Sequence, residues 1–228
     1  MTVTTLRGDC RAILPTLPAG SFQTCVTSPP YYGLRSYLPD DHPEKHLEIG
    51  SEPTPEAYVA ALVEVFREVR RALRDDGTLW LNLGDSYVGA GGAMGARVTP
   101  AKDGWNNNVR NHPRPARSAA RARFGDAKPK DLLGIPWMVA FALRADGWYL
   151  RRDVIWSKPN PMPESVEDRP TSSHEYVFLL SKCPSYFYDA QAIAEDGVIP
   201  AGTKGAKGSA ARAAMPGVNA RPPEYKVY

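Results

Sequence analysis

Two hydrophobic periods alternate along this chain. Apolar residues at Tyr58, Leu62, Val65, Phe66, Val69 and Leu73 recur at three- and four-residue intervals, which is one face of a helix. Thr54 is placed to cap that helix, and Pro55 suits its first position. Asp75-Asp76-Gly77 reads as the stop, with Gly77 as a left-handed cap. Residues 78–83 follow as a mostly apolar strand suited to a buried place in a sheet. Upstream, Thr24-Cys25-Val26-Thr27 is a short β-branched run. It stops at Ser28-Pro29-Pro30, because proline cannot donate to a sheet ladder. Strand, helix and strand therefore succeed one another with a crossover long enough for parallel pairing.

The flanks are read the same way. Residues 3–6 predict a short strand, then a Gly8-Asp9-Cys10 turn and a short helix over 11–14, broken by Pro15 and Pro18. A helix is predicted over 136–145 and stopped by Asp146-Gly147, a strand over 148–156, and another strand over 175–180. Pro159, Pro161 and Pro163 keep the stretch between those strands extended. Residues 186–189 close the ordered pattern. From Gly197 the chain is rich in Ala, Gly and Lys, which predicts loop or disorder. The organisation expected is one region over 1–190, an insertion loop at about 87–130, and a flexible tail or the start of a further segment over 191–228.

That insertion changes the picture of charge. The whole chain carries only +3, no signature of a nucleic-acid binder. Yet Arg97, Lys102, Arg110, Arg114, Arg117, Arg121, Arg123, Lys128 and Lys130 face only Asp103 and Asp126 in one Gly-, Ala- and Asn-rich stretch. It reads either as a phosphate-contacting loop or as a solvated insertion that binds nothing. Cys10, Cys25 and Cys183 are too few and too scattered for a disulfide framework, and His42 and His46 read as a solvated loop, so no metal site is expected. No apolar run reaches the roughly 18 residues of a membrane span, and MTVTTLRGDC has no secretory pattern, so a cytoplasmic protein is expected.

The chemistry is concentrated at Thr27-Ser28-Pro29-Pro30-Tyr31-Tyr32-Gly33, at the carboxyl end of a predicted parallel strand, where open α/β sheets hold ligands. The exocyclic amine of a base is a poor nucleophile, because its lone pair is delocalised into the ring. Two acceptors for its protons would draw the nitrogen toward a tetrahedral, reactive geometry. The Ser28 hydroxyl and the Pro29 carbonyl can be those acceptors, and the two prolines bring no competing backbone donor. Tyr31 offers a ring on which an extruded base can stack. The peptide by itself is equally readable as a proline-rich loop.

The wider sequence resembles the DNA amino-methyltransferases acting on adenine-N6 or cytosine-N4, in the permuted group whose catalytic motif comes first. The matches are Ser28-Pro29-Pro30-Tyr31, the upstream Gly8-Asp9-Cys10-Arg11-Ala12-Ile13-Leu14, and Gly77 through Tyr87. Asp131 through Trp137, Ile155 through Asn160 and His174 through Phe178 match as well. The resemblance implies an α/β fold: a Rossmann-like S-adenosylmethionine-dependent methyltransferase sheet, incomplete toward the C-terminus. It implies S-adenosylmethionine as cofactor and double-stranded DNA as partner. Ser28, Pro29, Pro30 and Tyr31 become the catalytic candidates, and Asp9, Cys10, Thr27 and Ser28 the cofactor contacts. Tyr32, Asn82, Asp85, Trp156, Lys158 and Asn160, with Arg110, Arg114, Arg117 and Arg121, become candidates for the base pocket or DNA. Glu175 is read only as a partner for a nearby base. Serine at position 28 favours cytosine-N4 over adenine-N6, as in restriction-modification or phage DNA modification.

One departure stands out. The family's Phe-x-Gly-x-Gly cofactor turn has no counterpart, since Gly202 through Gly208 lacks an aromatic lead-in and a preceding apolar strand. A second chain supplying that motif, a catalytically incomplete fragment, or a DNA-binding remnant are the alternatives this raises. Methylation of RNA or of a protein amide is a further one, disfavoured by the basic insertion.

Overall fold

The computed structural model describes residues 3–39, 41–88, 126–164 and 167–194. In chain order these form helix α1 (Cys10–Ile13) with a 3-10 turn (Leu14–Thr16), strand β1 (Phe22–Thr27), helix α2 (Pro55–Ala72) and strand β2 (Leu73–Leu83). Helix α3 (Ile135–Ala145), strand β3 (Tyr149–Ser157) and strand β4 (His174–Ser181) follow. The four strands make one mixed sheet in the order β1-β2-β4-β3. β1 and β2 are parallel, and β4 runs against both β2 and β3. The carboxyl ends of β1, β2 and β3 therefore meet the amino end of β4 along one edge.

Local chemistry accounts for the main crossover. The Thr54 hydroxyl accepts from the Ala57 N–H at 3.1 Å, and Pro55 opens α2 where its missing N–H costs nothing. The apolar stripe of α2 then buries Tyr58, Leu62, Phe66 and Val69. Each such side chain contributes about 1.5–3 kcal/mol by leaving water. They pack with Leu79, Leu81 and Leu83 of β2, Phe178 and Leu180 of β4, and Ile135, Val139 and Leu143 of α3. Strand alternation sends the intervening residues to the other face. There Asn82 sits opposite Val177, and Trp156 opposite Glu175.

Three sequence expectations are corrected. Residues 3–6 form no strand; Val3 and Leu6 stay exposed and β1 pairs only with β2 among the described residues. Without a ladder partner an extended segment is not a strand. Gly77 is not a left-handed cap: α2 passes at Leu73 directly into β2, and Gly77 is absent from the positive-φ glycines. Its role is proximity, since a Cβ there would lie 2.9 Å from the Arg74 carbonyl and 3.1 Å from that of Gln23. The β1–β2 register slips at this point, Phe22 pairing with Leu73 and Thr24 with Thr78. Third, Tyr32 is a core residue, treated below. The basic residues Arg97, Lys102, Arg110, Arg114, Arg117, Arg121 and Arg123, and the tail from Gly197 with its Gly202–Gly208 stretch, lie outside the described residues. No described helix is long and apolar enough to cross a membrane.

Candidate active site

Ser28 and Tyr31 leave the carboxyl end of β1, Asn82 comes from the same end of β2, Glu175 opens β4, and Lys158 follows β3. These five converge on one cluster. The Ser28 hydroxyl donates to the Tyr31 hydroxyl at 3.2 Å. The Tyr31 oxygen lies 2.8 Å from Asn82 Oδ1 and 3.1 Å from Glu175 Oε2. Asn82 Nδ2 donates to the Tyr176 carbonyl at 3.1 Å, which fixes the amide's orientation. Lys158 Nζ is paired with Glu175 Oε1.

Burial and charge act together on these groups. Burial pushes the Tyr31 phenol above its ordinary value, and the Glu175 charge adds to the rise although the Ser28 hydrogen bond opposes it. Burial also pushes the Glu175 carboxyl up. Hydrogen bonds from Lys158, Asn82 and Tyr31, with the Lys158 charge, outweigh it, and the net value lies below the ordinary one. Glu175 is thus a carboxylate, and Tyr31 a neutral phenol, at neutral pH.

The motif loop is clamped from below. Tyr58 of α2 donates its hydroxyl to the Pro30 carbonyl at 2.8 Å. Ser86 donates to the Tyr32 carbonyl at 2.9 Å, and the Gly33 N–H reaches the Gly50 carbonyl at 2.7 Å. The Tyr31 ring lies against the backbone of Gly84, where a Cβ would come within 2.5 Å of Tyr31 Cε2. Tyr58, Gly84 and Glu175 are the positions that sequence reasoning missed as parts of the site. Tyr58 showed only its helical period and Gly84 only a strand end.

The remaining candidates separate. Tyr32 is 0% exposed and packs on Tyr58 with ring centroids 5.4 Å apart, so it belongs to the core and not to a base pocket. Asp85 Oδ1 accepts from the N–H groups of Ser86 at 2.8 Å and Ile135 at 3.0 Å. It thereby caps α3, whose own N-cap Gly134 has no side chain to offer. Trp156 is 62% exposed and neighbours Glu175 across the β3–β4 ladder; Asn160 is exposed beyond it. Lys128 and Lys130 are the only described members of the basic stretch, and Lys130 pairs with Asp168.

For the cofactor contacts, Thr27 is half-buried beside the exposed Ser28. Asp9 caps α1 through the Arg11 N–H at 2.8 Å, and both its oxygens take the Arg11 guanidinium, which holds its carboxyl below the usual range. Cys10 is exposed. Asp9 is accessible, but a ligand amine there competes with Arg11. Among the described residues assigned to the cofactor, the exposed Ser28 and Asp9 offer oxygen acceptors, and Asp9 is already engaged by Arg11. A groove of about 550 Å³ between α2 and α3, lined by Val59, Val63, Met138 and Ala142, includes none of the site residues.

The fold and site together define an α/β protein with a Ser28–Tyr31–Asn82–Glu175 cluster at the carboxyl ends of its parallel strands. A family profile described as DNA methylase, of the N6/N4 type, matches residues 22–203, and the chain belongs to that family. It is 47% identical over 195 residues to the Type II methyltransferase M.Cfr9I of Citrobacter freundii, covering 85% of this chain and 59% of that protein. It is 49% identical over 188 residues to M.SmaI of Serratia marcescens, covering 82% of this chain and 59% of that one. A solved DNA modification methylase of Thermus thermophilus, complexed with S-adenosyl-L-methionine, aligns with a TM-score of 0.47 and 24% identity. That alignment covers 81% of this chain and 55% of the other. The chain thus spans about three-fifths of the length of the curated relatives it matches.

Proposed function

We propose that this chain carries the base-binding and catalytic part of a DNA methyltransferase, acting on the exocyclic amine of a base with cytosine-N4 favoured over adenine-N6. The observation that carries the reading is the exposed Ser28 hydroxyl, whose proton points to Tyr31, so that its lone pairs remain available at the strand ends. The Ser28 oxygen and the Pro29 carbonyl accept the two amine protons and draw the nitrogen toward a tetrahedral form. Tyr31, backed by Gly84, offers its other face to an extruded base, and the exposed Trp156 on the same sheet edge supplies a second apolar surface. S-adenosylmethionine supplies an activated methyl group on a sulfonium. Alignment of the amine toward it lowers the barrier by positioning the reacting atoms. Asp9, Cys10, Thr27 and Ser28 are the residues of this chain assigned to the cofactor side, in the permuted motif order, within a Rossmann-like sheet. Double-stranded DNA is the substrate, contacted also by Asn160 and by Arg110, Arg114, Arg117 and Arg121. Membership of a restriction-modification system accords with the Type II names of the relatives.

A second reading is favoured by the share of the relatives that the chain spans. The chain would then bind DNA and the base, with a second polypeptide supplying the cofactor turn. One experiment separates the two. The purified chain is incubated with unmethylated DNA and labelled S-adenosylmethionine, and the digested nucleosides are identified by mass spectrometry. N4-methylcytosine is the expected product. N6-methyladenine would overturn the base assignment. Salt-dependent DNA binding without label would overturn unaided activity and leave the second reading.

A further inference from the structure

We propose that Glu175, held by Lys158, is a positioning residue that sets the direction of the hydrogen-bond chain through Tyr31, so that Ser28 always presents an acceptor and never a donor to the amine. This deepens the methyl-transfer reading and rests on it. A serine hydroxyl is ambiguous, because it can donate or accept with equal ease. Pointed outward, its proton would oppose an amine that also donates. The structure removes the ambiguity in three steps. Lys158 pairs with one Glu175 oxygen and keeps the group an ionised, acceptor-only carboxylate. The other Glu175 oxygen stands 3.1 Å from the Tyr31 hydroxyl, and Asn82 Oδ1 stands 2.8 Å from it with its amide fixed by the Tyr176 carbonyl. Two acceptors face one phenolic proton, so that proton is committed inward. The Tyr31 oxygen can then only accept, and Ser28 is the donor within reach, at 3.2 Å. The Ser28 proton is drawn in and its lone pairs are left facing out. Asn82 holds this order only through its bond to the Tyr176 carbonyl, because its amide also carries an NH2; an ionised carboxylate has no proton to offer.

Glu175→Gln keeps the shape and introduces a possible donor. The charged groups around the Tyr31 phenol are Glu175 and, more weakly, Arg35. With 13C at the phenolic carbons, NMR resolves the protein's 11 tyrosines. Comparison with Tyr31→Phe assigns the Tyr31 signal, and the other signals report whether the variant is folded. In Glu175→Gln the Tyr31 titration midpoint should fall, whereas Lys158→Gln, which removes a cation and leaves the carboxylate in place, should not lower it. An unmoved midpoint in a folded Glu175→Gln protein overturns the proposal. Methyl transfer is read in parallel: kcat should drop by about tenfold or more while KM for DNA holds within about twofold, since alignment and not binding is lost. Equal kcat in the variant and an active wild type would also overturn it. An inactive wild type would count against the methyl-transfer reading alone, and the Tyr31 titration would still test whether the Glu175 carboxylate faces the phenol.

Discussion

Tyr58→Phe removes one oxygen from the interior and nothing else. Tyr58 is 0% exposed, and its hydroxyl donates to the Pro30 carbonyl at 2.8 Å while its ring packs on Tyr32. The ring contacts survive the substitution. A lost hydrogen bond of this kind costs about 0.5–1.5 kcal/mol, and an acceptor left buried and unpaired raises the cost toward about 3 kcal/mol. Pro30 is only half-buried, so water can reach part of that carbonyl. The expected loss is therefore about 1–2 kcal/mol, or roughly 2–8 °C in Tm for a chain of this size. Burial pushes the Tyr58 phenol well above its ordinary value, so it stays protonated and the loss should be the same from neutral to mildly alkaline pH. Urea denaturation checks this: the midpoint should fall with the slope unchanged. Because the Pro30 carbonyl adjoins that of Pro29, kcat should fall more than KM rises. A variant as stable as the parent would refute the clamp, and a changed slope would locate the effect in the denatured state.

Further outcomes follow from other contacts. Gly84→Ala places a Cβ within 2.5 Å of the Tyr31 ring, so the ring must shift, its bond to Asn82 should break and transfer should be lost, at about 1–3 kcal/mol of stability; a crystal structure with Tyr31 unmoved would contradict it. Glu175 has a folded-state value below the ordinary 4.5, so its stabilisation is complete above that pH and is lost as pH falls below it. The Tm difference between the parent and Glu175→Gln should therefore shrink on acidification from about pH 5 to about pH 3; a difference that grew on acidification would reverse the sign of the argument. Arg71 donates to the Leu14 and Leu17 carbonyls at 2.8 and 2.9 Å and ties the segment bearing Asp9 to α2. Arg71→Met should speed hydrogen exchange across residues 10–17 while leaving β2 and β4 protected.

The crossover was legible because each of its signals is local. Thr54, Pro55 and the periodic stripe behind them need no tertiary partner to be read, and β1 ends where the prolines begin. Gly77 was misread because a glycine after two aspartates looks like a cap, whereas its value lies in the carbonyls of Gln23 and Arg74, the former 54 residues upstream. The Ser28-Pro29-Pro30-Tyr31 motif marked the end of β1 through residue type, while its chemistry was read only together with the wider sequence. What it could not announce was which of two adjacent tyrosines faces the core, because that depends on Tyr58 packing beneath Tyr32. Nor could it announce the partner of Glu175. The pair forms because the antiparallel β3–β4 register sets Trp156 against Glu175, so that Lys158, two residues further on, lies diagonal to Glu175 on the same face.

The place of β4 bears on the order in which the molecule can be made. The last of the described strands in sequence lies between two that precede it, β2 on one side and β3 on the other. Ser28, Tyr31 and Asn82 leave the ribosome well before Glu175, and until β4 threads into that slot the tyrosine has no carboxylate to answer to. Such long-range pairing is slow to form and late to be rewarded. A nascent chain therefore displays the Ser28–Tyr31 segment for some time before the Glu175 carboxylate reaches it.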